Sequence, residues 1–195
     1  DLVSSAWDVI GGDVTPAGDV LLFDDDGTHS AMTAAELIAR SGARLEIVTP
    51  ERTLGVDVGG MNVVPYVRAF NETETRITLN QRVCSVRRIT VGGALGAVPR
   101  LEVELGSDHS THRSYRVVDA VVFDRGVAAN DELYRALVPE SVNAGAVDHL
   151  ALVDRRPQPR VENDRRFQLF RIGDAVAGRN IHAAVYDALR LCHTL

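Results

Sequence analysis

Two short stretches carry residues whose types and spacing could do chemistry. The first is Phe170-Arg171-Ile172-Gly173-Asp174-Ala175, followed by Arg179-Asn180-Ile181-His182. An apolar run ends in Gly-Asp, and a loop then opens a helix. Gly173 would let a ligand approach the backbone, and Asp174 would accept from a ribose or ribityl hydroxyl. Amides at the start of the following helix could face a pyrophosphate. The alternative is a plain strand-turn-helix with a capping Asp. The second stretch is Asp24-Asp25-Asp26-Gly27-Thr28-His29, placed where a dinucleotide fold puts its phosphate loop. Three carboxylates there repel a pyrophosphate unless arginines or a metal intervene, and GxGxxG is absent. Three consecutive acids in a turn read as solvated rather than as a metal site.

Other candidates are weaker. Glu51 and Arg52 follow the second strand, where an acid would favour a free ribose 2′-hydroxyl and a base a 2′-phosphate. Side by side they leave the choice open, and a surface ion pair is the simpler reading. His109 and His112 have metal-like spacing on a hairpin tip without further ligands, and are expected to be solvent-exposed. Cys84 and Cys192 form no CxxC, which suits a reduced, cytoplasmic protein and speaks against a dithiol redox centre. All 21 basic residues are Arg. The absence of Lys excludes Schiff-base and P-loop lysine chemistry. A formal charge of -6 gives no support for a nucleic-acid partner. No apolar run is long enough to span a bilayer, and no membrane partner is expected.

The elements that must position these residues follow from hydrophobic pattern. Residues 1–16 read as a helical turn around Trp7, packed at a boundary, and a linker through Gly11-Gly12 and Pro16. Residues 19–24 form a buried parallel strand, 30–41 a helix with Met32, Ala35, Leu37, Ile38 and Ala39 on its apolar face, and 44–49 the next strand. This is a βαβ unit. A helix over 61–70, kinked or started near Pro65, and a short strand over 77–79 come next. Alternating strands at 83–91, 100–105 and 115–123 form a β-meander. Asn130 or Asp131 caps a short helix, 147–153 reads as a strand, and 155–166 as a charged loop. The run 167–172 is a strand, and a helix to Leu195 buries Ile181, Ala184, Val185, Ala188, Leu189 and Cys192. The fold class is α/β: a Rossmann-like parallel sheet with a β-meander crossover.

Four segments carry a family resemblance: Val20 to His29, Thr33 to Glu36, Glu46 to Glu51, and Phe170 to Arg190. Together they resemble the C-terminal part of trimethylamine dehydrogenase-like flavoproteins of the NADH:flavin oxidoreductase type. These include 2,4-dienoyl-CoA reductase, histamine dehydrogenase and the N-methyl amine or betaine demethylases. Ser4 to Asp8 resembles the point where that chain leaves its FAD-type domain. The resemblance thus implies that 1–16 are a linker and the end of an FAD-type segment, 17–125 a Rossmann-like NAD(P)-type domain, and 126–195 part of a second, FAD-type nucleotide-binding domain.

The resemblance implies a longer protein, with an FMN barrel of the old yellow enzyme type and a 4Fe-4S cluster in an N-terminal part. That part, on the same polypeptide or a partner subunit, is the expected partner, and a homo-oligomer is expected when complete. Gly173 and Asp174 match the family's FAD or ADP contact, and Arg179, Asn180 and Ile181 the helix start beside it. Asp24, Gly27, Thr28 and His29 match the NAD(P) loop by position only. The resemblance thus implies a flavin-dependent amine dehydrogenase or demethylase, of which this chain is the nucleotide-binding scaffold, inactive alone. NAD(P)H as a direct donor is in doubt. Two alternatives stand beside it: a non-catalytic ADP- or FAD-binding docking module, and a fragment of an NAD(P)H-dependent enoate or dienoyl reductase.

Overall fold

The computed structural model describes residues 2–93, 96–160, 164–165 and 167–193. It divides into two units, Asp1–Arg125 and Gly126–Leu195. In the first, strands β1 (Val3–Ser5), β2 (Asp19–Asp24), β3 (Arg44–Val48), β4 (Arg76–Thr78) and β8 (Ala120–Asp124) form one parallel sheet, in the order β1-β8-β2-β3-β4. A separate antiparallel sheet holds β5 (Arg82–Gly93), β6 (Gly96–Ser107) and β7 (Ser110–Val118). This is a Rossmann-like sheet with a meander on the path from β4 to β8.

Strand β2 is apolar on both faces because both are covered. Val20 and Leu22 pack with Ala31, Met32, Ala35 and Ile38 of α2 (His29–Arg40) and with Phe70 of α3 (Gly60–Glu72). Leu21 and Phe23 pack on Leu101, Val103 and Leu105 of the meander. Fully burying each such side chain contributes about 1.5–3 kcal/mol. Leu37 is 46% exposed and lies off the buried face of α2, a correction to the expected apolar set. Helix α3 runs through Pro65 rather than starting there. The expected single strand over 115–123 is two strands in two sheets. The chain changes sheet at Asp119, whose carboxylate accepts from the Asp19 N–H at 2.8 Å and pairs with Arg100 at 2.8 Å. The first residues are a strand and a helix, α1 (Ala6–Gly11), closed by a Ser5–Asp8 capping box. Trp7 on α1 is 57% exposed.

The second unit contains α4 (Glu132–Leu137), α5 (His149–Val153) and α6 (Ile181–Cys192). Residues 149–153 are helical, not the expected strand: Asp148 accepts from the Ala151 N–H at 2.9 Å and caps the turn. Short apolar runs do not distinguish the two states, and the cap decided. Residues 167–172 are extended without joining a ladder, also contrary to expectation. Their one bridge joins Phe167 to Ser141, and the Asn143 side chain pairs with both the N–H and the C=O of Leu169, each at 2.8 Å. The expected buried face of α6 is also not buried. Ile181, Val185, Leu189 and Cys192 are exposed, Ala184 and Ala188 half-buried, and Leu191 is buried instead. Parts of the expected loop 155–166 and of the tail, at 161–163, 166 and 194–195, lie outside the described residues.

Candidate functional site

The turn between β2 and α2 sits at the C-terminal ends of the parallel strands, where α/β sheets place their ligands. Asp24 is fully buried there. Its Oδ1 accepts from the Gly27 N–H at 2.7 Å and the Asp26 N–H at 3.3 Å. Its Oδ2 is buried without a hydrogen-bond partner among the described residues. Burial pushes its pKa up to about 6; the Gly27 N–H partly opposes this, and the neighbouring Asp124 carboxylate adds to it. Asp124 stands beside Asp24 in the β2–β8 register and accepts from the Ser30 hydroxyl. The Thr28 hydroxyl donates to Asp26 at 2.8 Å.

Gly27 has φ +69°, and a Cβ on it would lie 2.4 Å from Val56 Cγ2. The Asp57 N–H donates to the Gly27 carbonyl at 2.9 Å. The loop after β3 therefore closes over the turn. Sequence reasoning missed Asp124 and Val56. A signal for Asp124 existed, since Leu21-Leu22-Phe23-Asp24 and Val121-Val122-Phe123-Asp124 share a pattern. The two phenylalanines meet edge-on at 5.9 Å in that register.

The other expected residues of this unit are dispersed. His29 is exposed at the start of α2, with Nδ1 3.3 Å from the Tyr66 hydroxyl of α3. Glu51 and Arg52 are exposed in the turn after β3, and no ion pair joins them among the described residues. The Glu51 carbonyl accepts from the Asn80 N–H at 3.1 Å, which ties that turn to the end of β4. His109 and His112 are exposed on the β6–β7 hairpin, and both cysteines are exposed and free. Among the described residues, no three His, Cys, Asp or Glu side chains converge as metal ligands. None of the described helices is long and apolar enough to cross a membrane.

In the second unit, Gly173–Ala175 is a 3-10 turn that packs on α6. Gly173 has φ +60°, and a Cβ there would lie 3.2 Å from Ala184 Cβ. Its missing side chain allows the close contact with α6. Its N–H donates to Asp187 Oδ2 at 3.2 Å. Asp187, missed from sequence, also pairs with Arg179. Arg179 is thus committed to the helix rather than held free for an anion. Asn180 is the N-cap of α6, accepting from the Ala183 N–H at 2.9 Å. The N–H groups of Ile181 and His182 have no acceptor among the described residues. Asp174 is exposed and without a hydrogen-bond partner among them. A cavity of about 410 Å³ borders the same turn, lined by Tyr134, Arg171, Ile172, Arg179 and Asp187, and not by Asp174.

Comparison with known proteins places this geometry. No family model matches the chain. It is 44% identical over 192 residues to the "Probable N-methylproline demethylase" of Rhizobium meliloti (strain 1021), covering 98% of this chain and 27% of that protein. It is 40% identical over 196 residues to the "N,N-dimethylglycine/sarcosine dehydrogenase" of Chromohalobacter salexigens, again 98% and 27%. The chain belongs to the trimethylamine dehydrogenase-like flavoproteins, on their demethylase branch. It spans only 27% of the length of these two relatives.

Two solved structures share the fold. Histamine dehydrogenase from Rhizobium sp. 4-9 superposes with TM-score 0.64 at 21% identity, over 96% of this chain and 25% of that one. The 6-hydroxypseudooxynicotine amine oxidase of Pseudomonas geniculata N1 gives 0.66 at 22%, over 98% and 24%. The expectation of family is borne out.

Proposed function

We propose that this chain is the nucleotide-binding and scaffold portion of a flavin-dependent amine dehydrogenase or N-demethylase. The observation that carries the reading is the 44% identity to a demethylase along nearly the whole chain. The substrate class is a small N-methylated amine or amino acid, oxidised at the N-methyl carbon and releasing formaldehyde after hydrolysis. The flavin, when bound elsewhere in the protein, supplies the hydride-accepting chemistry. We assign residues 17–125 to an NAD(P)-type domain and residues 126–195 to an FAD-type domain. Residues 1–16 fold with the first of these, not with the second as the resemblance implied, because β1 pairs with β8 and α1 packs on α2.

Within the second domain the residues fit an adenine nucleotide in part. Asp174 offers a carboxylate with no internal partner, suited to a ribose hydroxyl. The open amides at Ile181 and His182 suit a phosphate at a helix N-terminus. Asn180 holds that helix start in place. Arg179 contributes through Asp187 rather than by direct contact.

Two features support a larger assembly. The stretch 167–172 is extended without a ladder, and the Ile181, Val185, Tyr186 and Leu189 surface of α6 is exposed. Both suit a nucleotide domain whose remaining strands lie in the rest of the relatives' length.

The test is the full-length protein, assayed for formaldehyde release from N-methylproline, N,N-dimethylglycine and sarcosine with an artificial electron acceptor. Intact mass and absorption are measured on the same sample. Flavin absorption with turnover of one of these amines is the expected result. A colourless protein without turnover would refute it.

A further inference from the structure

A dinucleotide fold holds its pyrophosphate on amides at the first strand-to-helix turn, and in this chain those amides are taken. The N–H groups of Gly27 and Asp26 both point at Asp24 Oδ1, at 2.7 and 3.3 Å. The hydroxyls next along, Thr28 and Ser30, are spent on Asp26 and Asp124. From above, Val56 fills the space over Gly27, and the Asp57 N–H holds the turn's carbonyl at 2.9 Å. An entering phosphate would have to displace the Asp24 carboxylate from its amides and move the 54–58 loop. It would then face the acidic side chains of Asp24, Asp26 and Asp124, while Arg125 lies 3.5 Å from Asp25.

We infer that the Asp24 carboxyl is a built-in acceptor that seals the first nucleotide turn, so that the Asp1–Arg125 unit takes no NAD(P)H and acts as scaffold alone. Electrons therefore pass to and from the full protein by routes that bypass this turn. The inference stands on the turn's geometry and does not depend on which amine is oxidised.

Hydrogen–deuterium exchange on the full-length protein tests it, with NADH and then NADPH at millimolar concentration. Exchange at residues 24–30 and 54–58 should be unchanged by either. Slowed exchange there with either nucleotide overturns the inference. Flavin bleaching without slowed exchange at this turn supports it, because the hydride then arrives elsewhere. A second arm uses inorganic pyrophosphate on wild type and on Asp24→Ser, provided β2 and β3 exchange as in wild type. Emptying the turn should create a site: pyrophosphate should slow exchange at Asp26 and Gly27 several-fold in the variant and not in wild type. Equal protection in both proteins, or in neither, overturns the role given to Asp24.

Discussion

Replacing Asp24 by Asn should make the protein more stable at neutral and alkaline pH. Asn keeps the Oδ1 acceptor for the Gly27 and Asp26 amides and cannot ionise. Asp24 has a pKa near 6 in the fold, against 3.8 for an unperturbed side chain. The native state therefore holds a proton that the unfolded chain has lost once pH passes the unfolded value. Stability falls as pH rises through that window and levels off above the folded pKa. The separation corresponds to about 3 kcal/mol at pH well above 6. Asp24→Asn should match wild type near about pH 4 and exceed it by about 2–3 kcal/mol near about pH 8. Carboxylates remote from the turn titrate alike in both proteins and cancel in the difference, while Asp124 and Asp26 are coupled to Asp24 and belong to the effect.

The assay is urea unfolding of wild type and variant across this pH range, followed by circular dichroism and by emission of Trp7, the one Trp of the chain. Parallel stability curves would mean that Asp24 is not protonated more readily in the fold. A variant weaker than wild type at the alkaline end would mean that the ionised carboxylate is held favourably by its two amides. Either result refutes the account of the turn as a buried acid beside Asp124.

Three other outcomes follow from the same geometry. Asp174→Ala in the full-length protein should weaken ADP or FAD binding by about 1–3 kcal/mol by calorimetry, and an unchanged affinity would remove Asp174 from the nucleotide site. Gly173→Ala meets both a φ of +60° and the Ala184 side chain, and should cost about 1–2 kcal/mol in unfolding experiments. Arg116→Ala strips Glu46, 9% exposed, of the bidentate partner that links the meander to β3. Arg76 at 3.5 Å and the Thr78 hydroxyl at 2.7 Å remain, so the loss in denaturant unfolding should be about 2–4 kcal/mol.

The first unit was legible where burial is two-sided or strictly alternating. Val20 to Phe23 is a continuous apolar run because helices cover one face and the meander the other. Alternation in 100–105 marked a strand with one face on that core. Leu37 misled because a helix of this length has more apolar residues than its contact face uses. In the second unit the pattern stayed readable while the structure did not follow it. The stretch 167–172 has strand composition without a neighbouring strand among the described residues, and α6 has an amphipathic face without a cover. Local periodicity reports what a segment is built to bury, whereas burial itself needs the partner. At 147–153 a single side chain, Asp148, outweighed β-type composition by satisfying a helix N-terminus.

The two candidate turns use the same residue types and reach opposite chemistry through their order. In Asp24-Asp25-Asp26-Gly27 the acid comes first, at the end of a buried strand, three residues ahead of the glycine. That spacing folds the carboxylate back under the turn and onto the amides. The acid replaces the ligand such a turn would bind. In Gly173-Asp174 the glycine comes first, and takes the positive φ and the close contact with Ala184. The acid then follows on the outer side of a 3-10 turn, where it meets no internal donor among the described residues. Acid before glycine closes a turn, and glycine before acid leaves its carboxylate free. The proposed reading therefore expects a nucleotide at Asp174 and none at Asp24, which the calorimetry and exchange experiments test at separate ends of the sequence.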